Sequence, residues 1–239
     1  MQQKQQGSTP LIALILALGI AVAGMSIAHA IKYFKNFDRY VEVKGLSERI
    51  VRANQASWQM GFTASGDDLK SIYASINDQQ KIITDFLLKN GFAVKDITKQ
   101  PVSIYENTNV APLDSNGKRP PKYSANAGIN VSSNNVDSIM NTVQLTNQLV
   151  EAGVILNNNN VTYLYTNLSS VKAPMLDEAL TNAKASALQF ARKSESKVGR
   201  IKSANQGLFT ITSPDPNVGD ANSIDKKVRV VTTVQFFLN

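Results

Sequence analysis

Three features of the sequence predict an α+β fold, a mainly antiparallel sheet or sheets backed by about three helices and preceded by one transmembrane helix. An unbroken apolar run from Leu11 to Ala28 opens the chain. Residues 40–66 then alternate apolar and polar side chains in two halves, with Val41, Val43 and Ile50 in the first and Ala56, Trp58, Met60 and Phe62 in the second. Beyond them, helix-period and strand-period patterns follow one another in pairs to the carboxyl end, the order expected of helices laid on an antiparallel sheet.

The apolar run sets the first boundaries. Residues 1–10 are polar and Gln-rich, and Leu11 to Ile31 makes 21 residues, against the roughly 20 that cross a bilayer core of about 30 Å. A cleaved signal usually carries a shorter apolar region of about 7 to 15 residues, which favours an uncleaved anchor. Ala28-His29-Ala30 has the small-x-small form of a signal-peptidase site, so cleavage after Ala30 is the alternative. Residues 32–39 are a linker and residues 40–239 the folded domain. Lys32, Lys35, Arg39 and Lys44 follow the span whereas only Lys4 precedes it, and by the positive-inside rule alone the domain would face the cytoplasm.

Composition excludes several chemistries. Of the 239 residues 43 % are hydrophobic and 18 % charged, a globular balance with ample length for one sizeable core. There is no cysteine, which rules out disulfides, thiolate nucleophiles and Cys-type metal sites, and the one histidine, His29, lies at the edge of the apolar run. The folded part therefore lacks the commonest general base and metal ligand. No cofactor and no metal is expected. The net charge of +7 gathers in small excesses such as Lys118, Arg119 and Lys122, or Arg192, Lys193, Lys197, Arg200 and Lys202. None forms a basic stripe interleaved with aromatics, so no nucleic-acid partner is expected, and attraction to a membrane surface is the better use for the charge.

The two halves of residues 40–66 predict a strand pair with one apolar face each. Asp67 or Asp68 then caps a helix whose apolar positions are Leu69, Ile72, Ile76, Ile83, Phe86 and Leu87, stopped by Gly91. Residues 97–105 predict an edge strand because Pro101 cannot donate to a ladder. A long connection, 106–121, carries Asn107, Asn109, Pro112, Asp114, Asn116, Gly117, Pro120 and Pro121. Residues 123–131 form the returning strand, and Val136 to Val150 mark a second helix ended by Gly153. Residues 157–160, all Asn, read as a turn before a short strand at 161–165. Pro174 suits the first turn of a third helix reaching about Lys197, with Ala179, Ala183 and Ala187 on one face and Gly199 closing it. Strands at 201–212 and 228–237 complete the pattern, separated by an irregular loop.

Several residue sets then become recognisable. Val43-Lys44-Gly45-Leu46-Ser47-Glu48-Arg49 with Trp58 resembles the opening of the SIMPL-domain family, and the ending is denser: Tyr165-Thr166-Asn167-Leu168, Gln189-Phe190-Ala191, Lys197-Val198-Gly199-Arg200-Ile201, Ala204-Asn205-Gln206-Gly207 and residues 227–234. The likeness covers residues 40–238, and the preceding anchor is similar to a bacterial branch of the family, of the periplasmic immunogenic protein type. The resemblance implies an inner-membrane, single-pass protein with its domain in the periplasm, self-association into a homo-oligomer, and a link to envelope or oxidative stress. It implies no catalytic residue, because the family has no agreed catalytic motif.

No independent catalytic set emerges either. Asp67-Asp68 and Asp177-Glu178 sit in predicted first turns, where acidic side chains favour the helix dipole. Ser194-Glu195-Ser196 has neither an elbow nor a histidine beside it. Candidate contact residues are Asn107, Pro112, Asn116, Arg119 and Pro120 of the long connection, since such a segment in a compact domain is usually mobile or used for contact. Asn205, Gln206 and Gly207 join them as a closely approached backbone, whether by a subunit, a ligand or the chain itself. The expectation is a non-enzymatic envelope protein whose partners are itself and, through residues 11–31, the bilayer. A monomeric periplasmic binding module for a peptide or small ligand is the alternative.

Overall fold

The computed structural model describes residues 9–37, 39–107 and 119–239, with first-helix side chains described at 13–29 and 31. In chain order the elements are α1 (Thr9–Phe37), β1 (Tyr40–Arg52), β2 (Gln55–Gly66), α2 (Leu69–Lys89), β3 (Ile97–Lys99), β4 (Ser103–Glu106), β5 (Tyr123–Ser133), α3 (Val136–Val143), α4 (Asn147–Glu151), β6 (Leu156–Leu164), α5 (Leu168–Lys193), β7 (Val198–Gln206), β8 (Thr210–Thr212) and β9 (Asp225–Leu238). The class is α+β with antiparallel sheets, and among the described residues α1 is followed by four α-helices in place of the expected three or so. Two compact units form, one from residues 1–47, 174–208 and 230–239, the other from 48–173 and 209–229.

The second unit is built around β2, which lies between β5 and β6 in a sheet ordered β3-β5-β2-β6, with β4 also on β5. Alternation along β2 turns Trp58, Met60, Phe62 and Ala64 to one face, where Val131, Ile129, Ala127 and Ala125 of β5 stand directly opposite. The α2 stripe of Ile72, Ile76, Ile83 and Leu87 closes this core, and all four are buried. Leu69 is the exception, exposed at the first position of the helix. Asp68 caps α2 by accepting from the Ser71 amide at 2.9 Å. Past its end Gly91 takes φ +89°, a left-handed geometry that glycine adopts without a Cβ penalty.

Four expectations for this unit are corrected. The two halves of residues 40–66 are not a pair, since β1 joins β9 and β2 goes to the other sheet. Pro101 splits the predicted edge strand into β3 and β4, both still at the edge on β5. The second helix breaks into α3 and α4 because the Thr146 hydroxyl and amide both bond the Val143 carbonyl, replacing an i→i+4 bond with tighter turns. The Asn157–Asn160 run is strand, not turn: Asn158, Asn159 and Asn160 pair with Gly61, Met60 and Gln59. The Trp58 indole N–H donates to Asn159 Oδ1 at 2.7 Å, so the run supplies a partner for the one polar atom of a fully buried ring.

In the first unit, β1, β9 and β7 lie side by side in that order. Ala179, Ala183, Ala187 and Ala191 of α5 are buried as a stripe, and Ala183 and Ala187 pack on Val43, Val234 and Phe236. Gly45 shows how close that approach is: a Cβ there would overlap the backbone carbonyl of Ala179. Ser47, buried at the next inward position of β1, donates to Glu178 at 2.8 Å, and Asn182 donates to the Leu46 carbonyl at 2.8 Å. Small residues at steps of four thus admit a helix into backbone contact with a strand, which makes the alanine face core.

The bounds of α5 differ from expectation at both ends. It begins at Leu168, which puts Pro174 inside the helix and moves Asp177 and Glu178 out of the first turn. It closes through Glu195, whose φ of 53° lets the Ser196 amide reach back to the Ala191 carbonyl at 2.9 Å, while Gly199 belongs to β7. The backbone of α1 is helical over 29 residues. Counted on the described side chains alone, no helix is long and apolar enough to cross a membrane.

Candidate contact surfaces

The base of the long connection is built by one side chain. Asn107 Nδ2 donates to the Pro121 carbonyl at 2.6 Å and to Ser124 Oγ at 3.2 Å, and its amide donates to the Lys122 carbonyl at 2.7 Å. Across the same neck, the Lys122 amide donates to Asp67 Oδ1 at 2.8 Å, so Asp67 ties this neck and Asp68 alone caps the helix. The Lys122 ammonium lies 4.9 Å from the Tyr123 ring centroid and 3.6 Å from the Glu106 carboxylate. Tyr123 first, then Glu106, raise its pKa. Arg119 and Pro120 are exposed on the returning arm. Pro112 and Asn116 lie outside the described residues.

Asn205, Gln206 and Gly207 stand at the end of β7, in the other unit. Asn205 pairs with Thr233 and Gln206 with Thr232, and the Gly207 amide donates to the Val231 carbonyl at 2.9 Å. A Cβ at Gly207 would come within 2.5 Å of that carbonyl oxygen. What presses on Gly207 is therefore the chain's own β9, which accounts for the glycine without an outside partner. Asn205 and Gln206 keep their side chains exposed on an edge strand. Opposite Gln206, the Thr232 hydroxyl is buried without a hydrogen-bond partner among the described residues, a cost of about 1 to 3 kcal/mol.

A third surface escaped the sequence reading. The face of the β2 sheet turned away from its core carries Ser57, Gln59, Gly61, Thr63 and Ser65 on β2, directly opposite Ser132, Asn130, Gly128, Asn126 and Ser124 on β5. Asn158, Asn160 and Thr162 extend it on β6. Every one of these positions is uncharged, in a protein of net charge +7. The side chains bond across strands, Ser57 to Asn130 at 2.9 Å and Thr63 to Asn126 at 2.9 Å, with Asn157 donating to Thr63. The signal was present in the sequence as the polar half of each alternation. It went unused because solvent-facing strand residues are usually polar, and only the register shows eleven polar residues and two glycines, Gly61 and the buried Gly128, forming one uncharged array.

Burial lowers the pKa of the Lys226 ammonium, which Asp220 partly offsets, and the amine donates to the Asp220 carbonyl. Burial likewise raises the Tyr163 phenol. Among the described residues no group of three or more His, Asp or Glu is placed to hold a metal ion, and Ser194 spends its hydroxyl on the Phe190 and Ala191 carbonyls.

No curated protein matches this chain. Among solved structures, the regulatory subunit of aspartate kinase from Thermus flavus is 14 % identical over 81 % of this chain and 89 % of its own, with a TM-score of 0.19. A hydrolase from Listeria innocua is 8 % identical over 81 % and 92 %, with a TM-score of 0.21. At those scores neither likeness bears on fold or activity. One family model runs through both compact units: residues 41–236 match SIMPL, described as a protein of unknown function (DUF541), and the chain belongs to that family.

Proposed function

We propose that this chain is a non-enzymatic envelope protein, tethered in the bacterial inner membrane by α1, whose folded part self-associates on the periplasmic side into a homo-oligomeric scaffold or ring. The observation that carries the reading is the surface of α1. Leu14, Ile15, Leu16, Leu18, Ile20, Val22, Met25 and Ile27 are between 57 % and 67 % exposed. Every described side chain from 13 to 29 is exposed, so no face of this stretch is packed into a protein core, and water is a poor solvent for such a surface. Lipid satisfies it, with roughly 20 apolar residues matching the bilayer core. Confinement to the membrane plane then raises the effective concentration of one folded part for another. The periplasmic side and the stress connection follow the bacterial members that the sequence resembles.

Two measurements test it. An alkaline phosphatase fused after Asn239 should be active in cells, and an inactive fusion beside an active cytoplasmic reporter would reverse the orientation. Light scattering on the full chain in detergent and in nanodiscs should give a multiple of the chain mass, reduced when residues 107–120 are replaced by a short Gly-Ser turn. An unchanged mass would remove the long connection from the contact. A parent that is already monomeric would favour the second reading, a binding module for a peptide or small ligand. The uncharged array on the β2 sheet favours that reading, since it offers amide and hydroxyl groups suited to a neutral polar ligand.

A further inference from the structure

The charge of this protein is divided unevenly between its two units. The unit that contains α1 has eleven Lys and Arg against five Asp and Glu, while the other has fourteen against thirteen. Nearly all of the net +7 thus belongs to the unit carrying the apolar helix.

Hydrogen bonds gather part of that charge at one rim. The Leu238 amide donates to the Arg39 carbonyl at 2.9 Å, and Lys197 and Asn239 exchange backbone bonds at 2.8 and 2.9 Å. The start of β1, the end of β9 and the start of β7 therefore meet where the chain leaves α1. Arg39 follows the last residue of α1 by two positions, which is at most about 7 Å of chain. Arg200 lies 5.7 Å from the Phe237 ring centroid, and Lys202 lies 4.0 Å from that of Tyr40. From the end of α5, Phe190, Arg192 and Lys193 line a cavity of about 420 Å³, with Phe190 60 % exposed. Between residues 192 and 202 the one acid is Glu195. Exposed basic side chains interleaved with aromatics at the end of an apolar helix have the composition of a membrane–water interface.

We propose that this rim, made by Arg39, Arg192, Lys193, Lys197 and Arg200, binds the headgroups of anionic phospholipids in the leaflet that α1 enters. The inference rests on the tethered reading of α1. Charge complementarity and covalent continuity with the helix both select lipid as the occupant. The rim holds the folded part down on the bilayer surface. Each basic side chain near an anionic surface strengthens such binding about fivefold, and the effect fades with salt as screening shortens.

The absence of cysteine gives a clean probe. The full chain carrying Ser194→Cys, labelled with an environment-sensitive dye, is placed in nanodiscs containing a headgroup spin-labelled lipid, with phosphatidylcholine alone or mixed with phosphatidylglycerol. Quenching of the dye should be stronger in the phosphatidylglycerol discs. It should fall to the phosphatidylcholine level on adding Lys197→Glu and Arg200→Glu, and likewise for the unaltered rim in high salt, which needs no further substitution. Chain that stays with the discs but is quenched equally in both lipids overturns the rim and leaves the tether standing. Chain that elutes apart from the discs overturns the tether and the rim together.

Discussion

Trp58 and Asn159 meet across two neighbouring strands, the indole N–H donating to the amide oxygen at 2.7 Å. The ring is fully buried, whereas Asn159 is exposed. Trp58→Ala should therefore cost about 3 to 5 kcal/mol through the cavity it leaves. Asn159→Ala should cost only about 1 kcal/mol, the worth of one neutral hydrogen bond that water can in part replace. Denaturant titrations followed by circular dichroism read both. A small loss at Trp58→Ala would mean that its neighbours collapse into the space.

Gly45 tests the contact between β1 and α5. Because a Cβ there would overlap the Ala179 carbonyl, and backbone cannot rotate away as a side chain can, Gly45→Ala should cost about 3 kcal/mol. Gly91→Ala meets open space but a φ of +89°, and should cost less, about 1 kcal/mol. Thermal melts of the two variants, read side by side, check the order.

Thr232 is a place where the sequence leaves stability unused. Its buried hydroxyl has no partner among the described residues, and valine has nearly the same shape without the polar atom. Thr232→Val should raise stability by about 1 kcal/mol. A destabilised variant would show that the hydroxyl is paired in solution.

Lys226 supplies a pH dependence. Burial lowers its folded pKa below the ordinary 10.5, so between those two values the unfolded chain holds more of this proton than the folded chain. Its contribution to stability then rises with pH through that window, by at most about 1.4 kcal/mol per pH unit. Urea titrations at several alkaline pH values should show the parent gaining on Lys226→Met as pH approaches 10.5. Parallel curves would mean that the ammonium is solvated in the folded state.

Local chemistry was legible in the sequence wherever period or capping alone decides it. The alternation through Trp58, Met60 and Phe62 showed which side of β2 is buried, Asp68 and Gly91 marked the ends of α2, and the alanine stripe showed the face of α5 that packs. Family membership was legible too, because it is carried by short residue strings. Tertiary structure alone decided which strand lies beside which. Alternation marks a buried face but names no partner, so β1 and β2, two residues apart, join different sheets, and β1 finds β9 from the far end of the chain. The same holds for residues 157–160: four asparagines in isolation favour a turn, and they become strand because β2 offers one edge for pairing and Trp58 a donor that needs an acceptor. The uncharged array belongs to that second class, since it gathers residues far apart in sequence through strand pairing that no local pattern contains; the basic run from 192 to 202 was already visible in the sequence, and only the backbone bonds of Leu238 and Asn239 bring Arg39 beside it.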